Sequence, residues 1–359
     1  MLVKGKKLSR RNIRNILLIQ LGDIGDVVLS FPCIRALSEN FPKANIIVAV
    51  REKAKELIED CPWASYVISI REEKRRLVEK LIYQKDFFIN LRKINFDLTI
   101  DLRTGTRGAI LAFLSGARQR IGRYAYDGKL WRNRVFTHLV HPDLKPGQYI
   151  ADYYLEILTA HNLRTKNIWP EMIIPAEKRL KAVELLRKEG VPTNRFLIAM
   201  QPFSLWPYKE LKIDKYTAII KHIQSKFDFP ILITGSPAEK KRADEIRKEF
   251  EEGVFNFAGK TTIGIYAAIL NECRLFIGPD SAGLHIAAAV GTSTVGIFGP
   301  SSIAAWAPKG KRHSIVYKDC ECLSCSQKGC NDKGLSKCLE ELTVEEISEK
   351  VVEQISRHC

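Results

Sequence analysis

Residues 274–299 read RLFIGPDSAGLHIAAAVGTSTVGIFG. An apolar run, Arg274–Ile277, leads into a turn of small residues, Gly278 to Gly283, then an alanine-rich stretch and a second apolar run, Thr294–Phe298. A β-rich run, a glycine turn, a helix and another β-rich run is the repeating unit of a parallel sheet. The helix opening at Asp280-Ser281 presents N–H groups that have no partner inside the helix, and small residues let an anion approach them. Two readings of this turn are open from residue type alone. It suits a diphosphate, but Asp280 or Ser281 also suits an ordinary helix cap, with His285 simply packed behind it. A second glycine turn, Gly296 to Ser301, follows on the same rim.

Outward from this stretch the pattern repeats. In the second half, apolar runs fall at Phe196–Met200, Pro230–Thr234 and Val254–Phe257, separated by amphipathic segments such as Asp214–Phe227 and Pro237–Phe250. In the first half they fall at Ile16–Gln20, Ile46–Val50, Tyr66–Ile70 and Asp97–Asp101. After the first of them, Asp26 to Glu39 places Val27, Phe31, Ile34 and Leu37 on one helical face. A chain of 359 residues has room for two domains, and Trp169-Pro170 to Pro175 marks the hinge. The expected fold is α/β, two Rossmann-like domains facing each other across a cleft, with ligands at the carboxyl ends of the strands.

Two common nucleotide signatures fail. The turn Leu21-Gly22-Asp23-Ile24-Gly25-Asp26 lacks the spacing of G-x-G-x-x-G, and an acid at the helix start repels a pyrophosphate. Gly259-Lys260-Thr261 ends like a Walker A loop, but Val254 stands where that loop needs glycine. Asp26 therefore has two possible roles, capping orphan N–H groups or presenting a carboxylate as general base.

Lys and Arg number 57 against 41 Asp and Glu, a formal charge of +16, which points to an anionic partner. Residues 1–160 hold 28 basic and 17 acidic side chains, so the excess sits mainly in the first half. Its N-terminus carries six basic residues before Asn15, which reads either as an arm suited to anionic lipid headgroups or as a frayed, solvated tail. The segment from Arg103 to Arg134 adds Arg107, Arg118, Arg120, Arg123, Lys129 and Arg132, with Tyr124, Tyr126 and Trp131 among them. Such a run reads as a solvated face, as an anion-binding surface of arginine forks, or as a nucleic-acid surface. No uninterrupted apolar stretch reaches bilayer-spanning length, and with 45% apolar and 27% charged residues the composition is globular. Cytoplasmic location is expected. Five of nine cysteines lie between Cys320 and Cys338; Cys322, Cys325, Cys330 and Cys338 are candidate ligands of a structural zinc, with free thiols and disulfides as the alternatives. Cys33, Cys61 and Cys273 sit in apolar elements as packing residues.

The stretches NILLIQLGDIGDVVLSFPCIRAL (15–37) and FIGPDSAGLHIAAAVGTSTVGIFGPSS (276–302) together resemble glycosyltransferase family 9, the ADP-heptose:lipopolysaccharide heptosyltransferases. Three more segments extend the likeness in order over most of the chain: LWPYKELKIDKY (205–216), AGKTTIGIYAAIL (258–270) and CLSCSQKGCNDKGLSKCLEELTVEEI (322–347). The resemblance implies a GT-B fold with an acceptor domain over residues 1–168, a nucleotide-sugar domain over 169–341, and a C-terminal helix over 342–359 crossing back to the first domain. It implies inverting heptose transfer from ADP-heptose to the inner core of lipopolysaccharide, Kdo-lipid A or a heptosylated form of it, on the cytoplasmic face of the inner membrane, with no catalytic cofactor.

By the same resemblance Asp26 is the base, with Gly25 beside it. Lys209, Glu239, Asp280, Ser281, Ala282, Gly283 and His285 meet the donor, and Arg103, Arg107, Arg120 and Arg123 face the acceptor and the anionic leaflet. Two departures stand out: Ala282 precedes Gly283 where the family pattern has glycine one place earlier, and Leu211-Lys212 replaces a Trp-Pro pair. Other readings are a related transferase for another nucleotide sugar or acceptor, and a basic nucleic-acid or zinc-binding interaction protein. Two full βα domains with a glycine-rich rim argue against the last, so nucleic acid is not an expected partner.

Overall fold

The computed structural model describes residues 2–5, 7–71, 86–126, 130–141, 143–330 and 334–357. The chain forms two units, Met1–Pro170 and Glu171–Cys359, which puts the boundary two residues beyond the expected one.

The first unit is built on seven strands: β1 (Leu2–Lys4), β2 (Asn15–Gln20), β3 (Asn45–Arg51), β4 (Tyr66–Ile70), β5 (Leu98–Asp101), β6 (Gln119–Arg123) and β7 (His138–Val140). Their order is β1-β7-β6-β5-β2-β3-β4, parallel throughout except where β1 runs against β7. Ile16, Leu17, Leu18 and Ile19 of β2 are wholly buried, because a central parallel strand is covered on both faces and so reads as a continuous apolar run. After β2 the expected single helix is two, Ile24–Leu29 and Phe31–Asn40. Pro32 has no N–H to continue the ladder, and the Ser30 N–H and hydroxyl both turn back to the Val27 carbonyl, at 3.1 and 2.7 Å. Val27, Phe31, Ile34 and Leu37 are nonetheless all buried.

The second unit carries six strands, all parallel: β8 (Ile198–Met200), β9 (Ile231–Ile233), β10 (Val254–Asn256), β11 (Leu275–Pro279), β12 (Ser293–Phe298) and β13 (His313–Tyr317). They lie in the order β10-β9-β8-β11-β12-β13. The C-terminal helix Val344–Ser356 is opened by a capping box in which Glu346 N–H donates to Thr343 Oγ1 at 3.2 Å and Thr343 N–H to Glu346 Oε2 at 2.7 Å. The expectation of a crossing segment over 342–359 is corrected here. Ile347, Val351 and Ile355, spaced at one helical face, belong to the core of the second unit, on the helix Ile213–Lys226 and strands β12 and β13. Lys215 fastens the approach to this helix, donating to the carbonyls of Leu339, Glu340 and Leu342 at 3.1, 2.6 and 2.7 Å.

Each sheet has one point where the chain reverses its direction of growth across the sheet, and there the loops after neighbouring strands diverge and leave a crevice. In the first unit that point lies between β2 and β5, in the second between β8 and β11. No helix among the described residues is long and apolar enough to cross a membrane.

Candidate functional site

Two groups of polar side chains sit at these switch points, one in each unit. In the first, the turn after β2 delivers Asp26 and the loop after β5 delivers Arg103. Arg103 NH1 lies 2.9 Å from Asp26 Oδ2, the Asp23 N–H donates to the same oxygen at 2.9 Å, and the Tyr154 hydroxyl donates to Oδ1 at 2.6 Å. The carboxylate therefore caps the turn at Asp23 and at the same time faces Arg103 and Tyr154. A Cβ on Gly22 would fall 2.4 Å from Asp26 Oδ2, so glycine is what lets the carboxylate fold back over the turn. Gly25 lies half-buried beside it. Burial and the adjacent Asp26 charge push the Tyr154 phenol well above its usual range, so it serves Asp26 as a donor. Burial pulls the Arg103 guanidinium down, but Asp26, Tyr154 and Asp101 outweigh it and the net direction is upward. Asp23, in the same turn, pairs with Lys53 at 2.6 Å and Arg51 at 3.4 Å.

The acceptor arginines divide. Arg103 and Arg107 are exposed at the rim after β5. Arg120 and Arg123 are framework residues, a correction to their expected role. Arg120 donates to the Val135 and Ala117 carbonyls at 2.7 and 2.6 Å. Arg123 is fully buried, lies over the Tyr153 ring, and donates to the carbonyls of His141 and Tyr153. Burial draws both guanidinium groups below their usual range. Arg132 is likewise buried and donates to the carbonyl of Arg103 at 2.9 Å, so part of the basic segment shapes the loop that holds Arg103. Lys129 lies outside the described residues.

In the second unit, the 3-10 turn Pro207–Lys209 after β8 brings Lys209 Nζ to 2.6 Å from Asp280 Oδ2, while His285 Nε2 lies 3.5 Å from Asp280 Oδ1. Burial alone would raise the Asp280 carboxyl, but His285 and Lys209 overcome it and hold the group well below the usual carboxylate range. Asp280 thus holds Lys209 and His285 in place. Ser281 is the N-cap of the helix Ala282–Ala289 and provides no side-chain cap, because its Oγ accepts from Gln201 Nε2 at 3.2 Å. The first N–H groups of that helix are left without a side-chain acceptor, beside the Lys209 ammonium. The shifted glycine has a steric cause: a Cβ on Gly283 would stand 2.1 Å from Gln201 Oε1 and 2.6 Å from the Tyr266 hydroxyl, which bond each other at 2.7 Å. Glu239 lies on the same rim after β9 and accepts the Ser236 N–H at 2.6 Å as a cap.

Gln201, Tyr266 and Tyr154 escape sequence reasoning. Gln201, the first polar residue beyond β8, carried a readable signal; Tyr154 meets Asp26 across 128 positions and carried none. The zinc expectation is not supported: among the described residues no group of three or more His, Cys, Asp or Glu is placed to hold a metal ion. Cys338 is buried in the apolar core of the second unit, which pushes its thiol up to about 11, while Cys322 and Cys325 are exposed. Cys33, Cys61 and Cys273 are buried as expected.

The model of glycosyltransferase family 9 (heptosyltransferase) matches residues 85–336. The chain is 28% identical to lipopolysaccharide heptosyltransferase 3 of Escherichia coli over 79% of its own length and 83% of the relative. It is 25% identical to lipooligosaccharide heptosyltransferase 2 of Campylobacter jejuni over 92% and 94% of the two chains. Among solved structures, a family 9 glycosyltransferase of Veillonella parvula shares the fold with a TM-score of 0.80 at 20% identity, over 98% of both chains. The E. coli ADP-heptose lps heptosyltransferase II does so with a TM-score of 0.78 at 17% identity, over 96% and 99%. The protein is therefore a glycosyltransferase, and it belongs to glycosyltransferase family 9, the heptosyltransferases.

Proposed function

We propose that the protein transfers the heptosyl group of ADP-L-glycero-D-manno-heptose to the lipopolysaccharide inner core, with inversion at the anomeric carbon and without a catalytic metal. The reading is supported by one group in each unit: a carboxylate at the switch point of the first, Asp26 beside Arg103, and a lysine with an uncapped helix start at the switch point of the second, Lys209 and Ser281 to Gly283. Asp26 takes the proton of the acceptor hydroxyl as that oxygen bonds to the anomeric carbon. The bond from that carbon to the diphosphate breaks, and ADP departs with the electron pair. Lys209 and the N–H groups of residues 282 and 283 stabilise the charge that develops on the diphosphate, the task a metal performs elsewhere.

Arg103 and Arg107 supply fork geometry for acceptor phosphate or carboxylate. A peripheral position on the inner membrane's cytoplasmic face is supported by exposed Ile110, Phe113 and Trp131 beside the exposed Arg107 and Arg134, a combination suited to an anionic lipid interface. The Asp26→Asn variant tests the assignment. ADP release with ADP-heptose and a Kdo-lipid acceptor is expected to fall about a hundredfold or more, with ADP affinity by calorimetry unchanged. Near-normal turnover removes Asp26 as base, and failure of ADP to bind the unaltered protein removes the donor assignment.

A further inference from the structure

The rim of the second sheet opposite the Asp280 turn, at the amino ends of β8, β11 and β13, opens into a cavity of about 590 Å³ lined by four arginines, Arg179, Arg195, Arg274 and Arg312. Glu272 is the only acid in its wall, and it is paired with Arg179 at 3.1 Å. Arg195 reaches Asp228 outside the cavity at 2.5 Å. Arg312 has only the Gly291 carbonyl, at 3.3 Å, and the Arg274 side chain has no hydrogen bond or ion pair among the described residues. Strand geometry causes the convergence, since Arg274 and Arg312 each stand one residue before a strand of the same parallel sheet.

Guanidinium groups only donate, and of the four around this concavity Arg179 and Arg195 have carboxylate partners while Arg274 and Arg312 have none among the described residues, so a dense anion is the ligand that would complete the set. Their forks match phosphoryl oxygens, where two parallel N–H bonds form at once. We propose that this cavity is a binding site for an anion carrying more than one phosphoryl group, separate from the donor turn. Free oligophosphate and the phosphorylated headgroup of a lipid present the same chemistry.

The test uses the full chain in a Lys209→Ala background, which weakens the donor turn as a competing anion site. Inorganic tripolyphosphate is titrated by calorimetry, and flotation is measured with vesicles containing the diphosphate lipid cardiolipin against phosphatidylcholine vesicles. Arg274→Ala with Arg312→Ala is then added; both side chains are exposed, and an unchanged thermal midpoint shows that the fold is kept. A loss of at least tenfold in tripolyphosphate affinity supports the site with a soluble ligand. A matching loss of flotation on cardiolipin vesicles alone supports it with a lipid ligand. Binding that the two substitutions leave unchanged, or no binding of either probe at low salt, overturns the proposal. In the Lys209 form, the double variant retains transferase activity.

Discussion

His161 lies buried, edge-on to His138 with ring centroids 5.3 Å apart, and neither of its ring nitrogens has a hydrogen-bond partner among the described residues. Burial, with His138 adding to it, pushes this imidazole down to about 4. In the unfolded chain it titrates near its ordinary value of about 6.5. Between those two values the unfolded state binds the proton and the folded state does not, so stability rises with pH across that window and is lost as the medium is acidified. The variant His161→Phe keeps a flat ring and removes the titration. Its thermal midpoint is expected near that of the unaltered protein at pH 7, and to move in its favour as pH is lowered toward 4.5. A difference that is constant with pH would show that His161 is not titrating in this way. The same reasoning separates the site residues by what holds them: Asp280 is fixed by the Lys209 ammonium and the His285 ring, whereas Asp26 is fixed by the Arg103 guanidinium and two neutral donors.

The helix Ala282–Ala289 shows how far elements were legible. Its existence follows from the apolar runs on either side and from its small-residue opening, and the same logic placed strands at the runs in both halves. What the pattern of residues did not carry is contact between distant segments. The need for glycine at 283 arises from Gln201 and Tyr266, 82 and 17 positions away, and no local propensity records it. For the same reason Arg120 and Arg123 looked like surface cations. An isolated arginine in a basic run carries no sign that the carbonyls of Ala117 and Val135, or of His141 and Tyr153, will claim it. The helix at Asp26 was misjudged at its middle because the shared apolar face, 27, 31, 34 and 37, survives the interruption at Ser30. Gly283→Ala is the element-level test. The added methyl must displace Gln201 or the turn itself, so a stability loss of about 1–3 kcal/mol is expected in denaturant unfolding, with ADP affinity reduced as well. Unaltered ADP affinity would show that the turn does not shape the donor site.

At the scale of the molecule, two sheets with separate apolar cores divide the work, and the positive charge is divided with it. A ligand that binds only the native second unit stabilises that unit by mass action. Hydrogen exchange with saturating ADP is therefore expected to slow in residues 198–298, with little change in β2, β3 and β5; equal slowing in both units would contradict the assignment of the donor to one of them. The closing helix, Val344–Ser356, has a consequence for biosynthesis. Strands β8 to β13 are complete once residue 317 has been made, yet Ile347, Val351 and Ile355, which cover β12, β13 and the helix Ile213–Lys226, come 30 to 38 residues later. During translation the second unit thus carries an open apolar face until its last turns leave the ribosome, whereas the first unit, whose final helix ends at Thr159, can finish folding earlier. Nascent chains stalled before Val344 are the ones a chaperone should find.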